Sequence, residues 1–564
     1  MSASSKKKLR KEQQALQMTE KQLKEQKEAK KTKIYTIAFV TAMAIILVAF
    51  LGSIVYNRLD ETGFFARHDT VLEVNDHDIN AVELNYFYID AISNQYNAWY
   101  SEYQNSTPYM LTMYGLDIYK PLNQSYYDTE GKVTWADMFA NQAVQDAIEI
   151  YTLYDAAKAE GHKLTEEEKQ NVEEILHNIE HSAIDGGFAS LGEYLTYMYG
   201  NGARKSSYRD YLNVLALANS YRNAHTEALS YGEADYTAYL AEHPNDYSNF
   251  SYTVYQLRVS DFYQGGTKDE ATGTTTYSDE EKAAAEAACK AAADSIAAAK
   301  PTNAESLNAA IASLSIYQNA SSEGSEGSSV PTATVNEDVA FAYLSTYYKD
   351  WLGDASRKSG DFTIVPITEK AEDGTDTGKV TGYYAVIFDG RDDFMEDTVT
   401  IRHILVDFEG GTVTNGVTTY TDAEKQATKQ KAEEILAQFN ATGKTEDEFA
   451  AMVEANTDDG GSMYNGGLYS HVLEGQMVDG FNDWIFDAKR NPGDCEIVET
   501  EFGYHLIYFV EKDELNYRDY MVDSTLRTEA TQAWLKEKVD ATKVGERDIS
   551  KLDLDFTIAP SSAY

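Results

Sequence analysis

The sequence predicts an α+β protein: one membrane-crossing helix, a helical domain, and two successive units of antiparallel strands with helices. Three observations carry this. Ile34 to Tyr56 contains no charged residue and is long enough to span a bilayer as a helix. From Ala81 to about Leu229, amphipathic segments rich in Tyr and Ala read as helices. Finally, Thr275-Thr276-Tyr277-Ser278-Asp279-Glu280-Glu281-Lys282 is echoed 143 residues later by Thr418-Thr419-Tyr420-Thr421-Asp422-Ala423-Glu424-Lys425. A helical run follows each copy.

A chain of 564 residues is too long for one core, so three or four domains are expected. The net charge is −44, unevenly spread. Residues 1–33 hold 11 Lys+Arg against 4 Asp+Glu, a net +7, which leaves −51 for the remainder. Such a body repels phosphates, which argues against a nucleic-acid partner. The basic head suits a solvated cytosolic tail, with contact to anionic lipid or RNA as the alternative.

The exit from the apolar run, Gly52-Ser53-Ile54-Val55-Tyr56-Asn57-Arg58, offers no small-x-small cleavage site, and no cysteine lies near it. It reads as an uncleaved signal anchor. The positive-inside rule then places residues 1–33 in the cytoplasm and everything after Arg58 outside. The two cysteines, Cys289 and Cys495, are too few for a disulfide framework.

Beyond the membrane, Val71–Asn75 reads as a short strand and turn. The helical segments that follow include Glu83 to Tyr96, Trp135 to Glu160 and Thr165 to Ile184. His177-Asn178-Ile179-Glu180-His181 fits the H-x-x-E-H pattern of inverted zinc proteases. Histidines four apart share a helix face. No third ligand stands at a recognisable spacing, so a solvated face is the reading, and no metal site is expected. Ala320 to Pro331 reads as a flexible Ser/Gly/Glu loop.

The most informative stretch runs from Val399 to Val510. Val399–Val406 and Phe502–Val510 are strand-like, each placing one histidine among β-branched and aromatic residues. Between them lie a helical run, Asp422 to Phe439, and an acidic glycine-rich turn, Asp458 to Leu468. Gly475-Gln476-Met477 and Phe481 follow. This order resembles a parvulin-type peptidyl-prolyl isomerase domain. The helical region after Val74, Asn75, Ile79 and Glu83 resembles the N-terminal domain of PrsA- and SurA-like extracytoplasmic foldases.

The resemblance implies a site. His403 and His505 match the paired histidines on adjacent central strands. Asp459 matches the family's Cys or Asp facing the rotating carbonyl, with Asp458 the alternative if the alignment shifts by one. Leu468, Met477 and Phe481 match the proline socket. The interval from Leu468 to Met477 is one residue longer than the usual spacing. The segment after the first histidine strand, Asp407-Phe408-Glu409-Gly410-Gly411, is acidic where phosphate-directed parvulins are basic, so phosphoserine-proline is not the expected substrate.

The chemistry suits these residue types. Rotation about an amide faces about 18–20 kcal/mol, and X–Pro exchange is slow enough to limit folding. A catalyst needs an apolar socket for the ring and polar groups around the carbonyl. No metal or cofactor is required.

The expected organisation is a cytoplasmic tail over 1–33, an anchor over 34–56 and a helical foldase-like domain over 57–246. A degenerate parvulin-like unit follows over 247–395, then a parvulin unit over 397–512. In the first unit Gln256 lies near the first histidine position and Tyr384 at the second. Residues 513–564 are expected to form a helix, Tyr517 to Val539, and a strand, Leu552 to Ile558, returning to the helical domain. The expected function is a membrane-anchored extracytoplasmic prolyl isomerase acting on unfolded, proline-containing chains. The alternative is a non-catalytic holdase binding clients through the helical domain and first unit.

Overall fold

The computed structural model describes residues 3–127, 132–318, 330–371, 374–414, 417–552, 554 and 556–558. They form two compact units: Met1–Leu229 with Thr528–Tyr564, and Ser230–Arg527. Residues 320–329 of the expected Ser/Gly/Glu loop lie outside the described residues.

The first unit begins with a continuous helix, Ala3–Glu61. Its Thr41–Glu61 portion, mean hydropathy 1.8, is long and apolar enough to cross a membrane. A hairpin of Thr70–Val74 and His77–Asn80 follows. Its turn residue Asn75 has φ 53°, a conformation Asn tolerates better than most residues. Helices Ala81–Tyr103, Trp135–Glu160, Glu166–Asp185 and Lys205–Ala228 enclose the core. Capping boxes set two of these starts. Thr134 and Thr165 accept from the amides three residues on, while Asp137 and Glu168 accept from theirs.

The chain's end packs in this unit. Val544–Arg547 pairs antiparallel with Thr70–Val74, and the Asn75 carbonyl side chain accepts from the Lys543 amide. Trp534 stacks on His225, centroids 3.9 Å apart. The strand expected over Leu552–Ile558 is not there. The described residues among these are not in a strand, and Asp553 and Asp555 lie outside the described set. The sheet's open edge is taken by Val544–Arg547 instead, while Leu552 and Phe556 contribute apolar surface to the helical core.

The second unit holds two four-stranded antiparallel sheets with the same connectivity. In chain order each runs second–first–fourth–third. The earlier sheet uses Asn249–Arg258, Thr334–Ala340, Asp361–Lys370 and Asp376–Asp392. The later one uses Asp397–Asp407, Leu468–Val472, Cys495–Glu499 and Gly503–Asn516. Both carry a small hairpin and a helix after the first strand. The helices, Asp279–Ala299 and Asp422–Asn440, have the same capping box, Ser278/Glu281 and Thr421/Glu424. In each, the capping glutamate also accepts from a glycine amide of the preceding loop, Gly266 or Gly411.

The register aligns the two sheets. Gly382 faces Arg258 as Gly503 faces Asp407. Counting back from these pairs, the His403 position falls on Val254, two residues from Gln256, which the sequence placed near it, while Tyr384 stands at the His505 position. A shift of two residues preserves the strand face, so alternation alone does not separate Val254 from Gln256.

Strand alternation divides the later sheet between two cores. Ile404, Val406, Tyr504, Leu506 and Tyr508 pack under the helices, with Phe439 and Phe449. Ile401, Ile507 and Phe509 face the other way, against Phe481, Trp484 and Ile485. His403 and His505 fall on this second face.

Candidate active site

The two histidines come from the paired central strands: His403 is opposite Ile507, and His505 opposite Leu405. Both are buried, 4% and 6% exposed. Their Nδ1 atoms lie 3.2 Å apart. His403 Nε2 reaches Asp459 Oδ2 at 3.0 Å and Ser462 Oγ at 3.1 Å. His505 Nε2 lies 2.9 Å from Thr500 Oγ1. With both rings neutral, one assignment satisfies every group: Thr500 donates to His505, His505 to His403, and His403 to Asp459.

Asp459 is the convergence point. Its Oδ2 also accepts from the Ser462 and Tyr469 hydroxyls, and its Oδ1 accepts from the Gly461 amide. Burial works against its charge, but donation from Ser462 and Gly461 and proximity to His403 outweigh it, so the carboxyl is held at about 2. Burial pushes His403 below the ordinary imidazole range despite the opposing Asp459 charge. Burial, and then His403, push His505 down to about 3. The contact is therefore a neutral imidazole donating to a carboxylate rather than an ion pair. Asp458, the sequence alternative, points elsewhere: its carboxylate accepts from the Asp407 amide at 3.0 Å.

Glycine brings the turn this close. Gly467 has φ +73°, and a Cβ there would lie 2.2 Å from the His403 carbonyl oxygen. Any side chain would push the acidic turn off the first histidine strand.

The apolar wall is Phe481, 3% exposed, set edge-on to both imidazoles with centroids 5.6 Å from His403 and 5.1 Å from His505. Met477 and Tyr469, both half-buried, pack into the same cluster. Leu468 does not: it pairs with Arg402 and lies outside that cluster, and Tyr469 takes the neighbouring place. The additional residue between Leu468 and Met477 is absorbed in the edge strand. Tyr469 faces Ile401 and Val472 faces Val399, which leaves one extra residue in a bulge, and His471 there has φ 52°.

Sequence reasoning missed Ser462, Tyr469 and Thr500. Ser462, within the glycine-rich turn, carried the clearest signal: a hydroxyl three residues after Asp459. The H-x-x-E-H residues of the first unit are engaged separately. His181 pairs with Asp185 at 2.9 Å, and Glu180 with Lys205.

Comparison with known proteins bears on this region. Residues 388–513 match the family model described as the PPIC-type PPIASE domain. The foldase protein PrsA 1 of Listeria monocytogenes is 26% identical over 178 residues, 30% of this chain and 52% of the relative. The foldase protein PrsA of Staphylococcus aureus is 30% identical over 135 residues, 24% of this chain and 41% of the relative. The chain thus spans about half the length, or less, of these curated relatives. The crystal structure of PrsA from Bacillus subtilis covers 73% of this chain and 88% of its own, at 13% identity and a TM-score of 0.24. Residues 388–513, with their paired histidines and acidic turn, are a PPIC-type parvulin domain.

Proposed function

We propose that the chain is a membrane-anchored extracytoplasmic peptidyl-prolyl cis–trans isomerase that assists the folding of proline-containing secreted chains. The observation that carries this is the hydrogen-bonded chain Thr500–His505–His403–Asp459 against the Phe481 ring. His403, Asp459 and His505 are the catalytic set, and Met477 and Phe481 line the proline socket with Tyr469. Leu468 borders it.

The geometry suits a catalyst of rotation. A planar amide carries partial negative charge on its oxygen; the twisted amide carries less. An ionised Asp459 near that oxygen raises the planar state more than the twisted one, and only such a difference speeds the reaction. The neutral histidines hold Asp459 in place without cancelling its charge. The apolar wall grips the ring while the preceding carbonyl turns. Each 1.4 kcal/mol of this difference is worth about tenfold.

Residues 247–395 are read as a degenerate copy of the same unit. The shared strand order and capping support this, and so does the local match of Asp350-Trp351-Leu352 to Asp483-Trp484-Ile485. Leu344 and Tyr348 then stand where Met477 and Phe481 do, and pack on the corresponding sheet face. Val254 and Tyr384 replace the histidines, so this copy lacks the polar chain.

The anchor reading is supported by Thr41–Glu61 and the basic head. In the test, the isolated segment 397–512 accelerates cis–trans exchange in a prolyl peptide and segment 247–395 does not. An inactive, folded 397–512 segment would leave the holdase reading, which exposed tyrosines on the helical unit favour.

A further inference from the structure

Exposed aromatic side chains are concentrated on the helical unit between Tyr96 and Tyr127. Tyr100, Tyr109, Tyr114, Tyr119 and Tyr127 are 39–70% exposed, and Met113 is 67% exposed. Ring contacts join some of them to neighbouring tyrosines. Tyr96 stacks on Tyr100 at 6.5 Å, and Tyr114 meets Tyr127 at 6.2 Å.

The outward tyrosines are not a failure of packing. The same segment buries Leu116, Ile118 and Leu122 at 0–2% exposure. The Gln124 side chain clamps the loop: it accepts from the Asp117 amide and donates to the Asp117 and Pro121 carbonyls, each within 2.9 Å. The Ala136 amide, at the head of the helix, donates to the Leu122 carbonyl. The backbone is fixed, and tyrosines lose little side-chain freedom on contact, which is the composition of a recognition surface.

Charge narrows the occupant. Residues 93–137 contain five acidic and two basic residues, within a body that is strongly acidic throughout. Tyrosine faces in a negative field attract ammonium and guanidinium groups. We propose that this tyrosine platform holds extended, lysine- and arginine-rich segments of unfolded polypeptide, on a different unit from the prolyl site. The proposal rests on the foldase reading, whose client class it specifies.

The test uses the full-length chain in detergent and two fluorescent proline-free peptides that differ only in carrying Lys or Glu between Phe and Gly/Ser residues. The expected result is that the wild type binds the Lys peptide about tenfold more tightly than the Glu peptide. Replacing Tyr109, Tyr114 and Tyr119 together by Ser removes that preference. Replacing the same three by Phe retains most of it, which separates lost ring faces from lost fold. Exchange of a short prolyl peptide is unchanged in both variants. Equal affinity for the two peptides, or undiminished binding by the Ser variant, overturns the proposal. So does competition by soluble glycan strands, which would make the platform a carbohydrate surface. A wild type without prolyl exchange activity counts against the isomerase reading alone, because the peptide measurement is independent of it.

Discussion

The buried histidine chain makes a specific demand on pH. His505 titrates near 6.5 when unfolded and at about 3 when folded. Between these values the unfolded state binds a proton that the folded state refuses. Stability is therefore full above pH 6.5 and falls as the pH drops toward 3, at about 1.4 kcal/mol per pH unit. Going from pH 6.5 to 4.5 should remove about 2–3 kcal/mol through His505 alone. His403, also lowered by burial, adds to the loss. Asp459, held at about 2, keeps its contribution above pH 4 and loses it only below, outside this window. The perturbation is His505→Gln, which keeps a polar side chain but does not titrate. The assay is urea unfolding of the isolated segment 388–513, in which Trp484 is the single tryptophan. The variant should be less stable at pH 7, and its stability should fall less steeply between pH 6 and 4.5, by about 1 kcal/mol per pH unit. Identical slopes would refute the claim that His505 is held neutral by burial.

Asp459→Asn removes the charge but keeps the shape. It should lower kcat/KM on a prolyl peptide by roughly 10- to 100-fold, about 1.4–2.7 kcal/mol of lost discrimination between the planar and twisted amide, with the circular dichroism spectrum unchanged. Met477→Ala should raise KM by about tenfold through about 1–2 kcal/mol of lost apolar contact, with a smaller effect on kcat. Protease added to intact cells should digest the chain beyond Arg58 and spare residues 1–33, as read by antibodies to each end; a protected parvulin domain would reverse the topology.

Local chemistry made much of this legible. His403, Asp459 and His505 sit in short motifs that could be picked out by residue type, and the fold brings them together; the Trp135–Glu160 helix starts and stops at the residues its caps dictate. What sequence could not give was register. Gln256 could be placed only near the His403 position; Val254 stands at it because register depends on which residues pair across strands more than 100 apart. The match of Leu344 and Tyr348 to Met477 and Phe481 was hidden because the Gly-Gln-Met signature before it is missing. Tyr469 and Thr500 join the site only through pairing of distant strands. The extra residue before Met477 was visible as a length but not as a bulge at His471. At the chain's end, Val544–Arg547 has no strong strand composition; it becomes a strand because an edge is open beside Thr70–Val74.

Catalysis by Asp459 can be read by exchange spectroscopy on a prolyl peptide mixed with the whole chain, wild type and Asp459→Asn side by side. Wild type should show cis–trans exchange well above the uncatalysed rate, and the variant a loss of at least tenfold. Exchange at the uncatalysed rate with folded wild-type protein, or equal rates for the two, would contradict catalysis by Asp459.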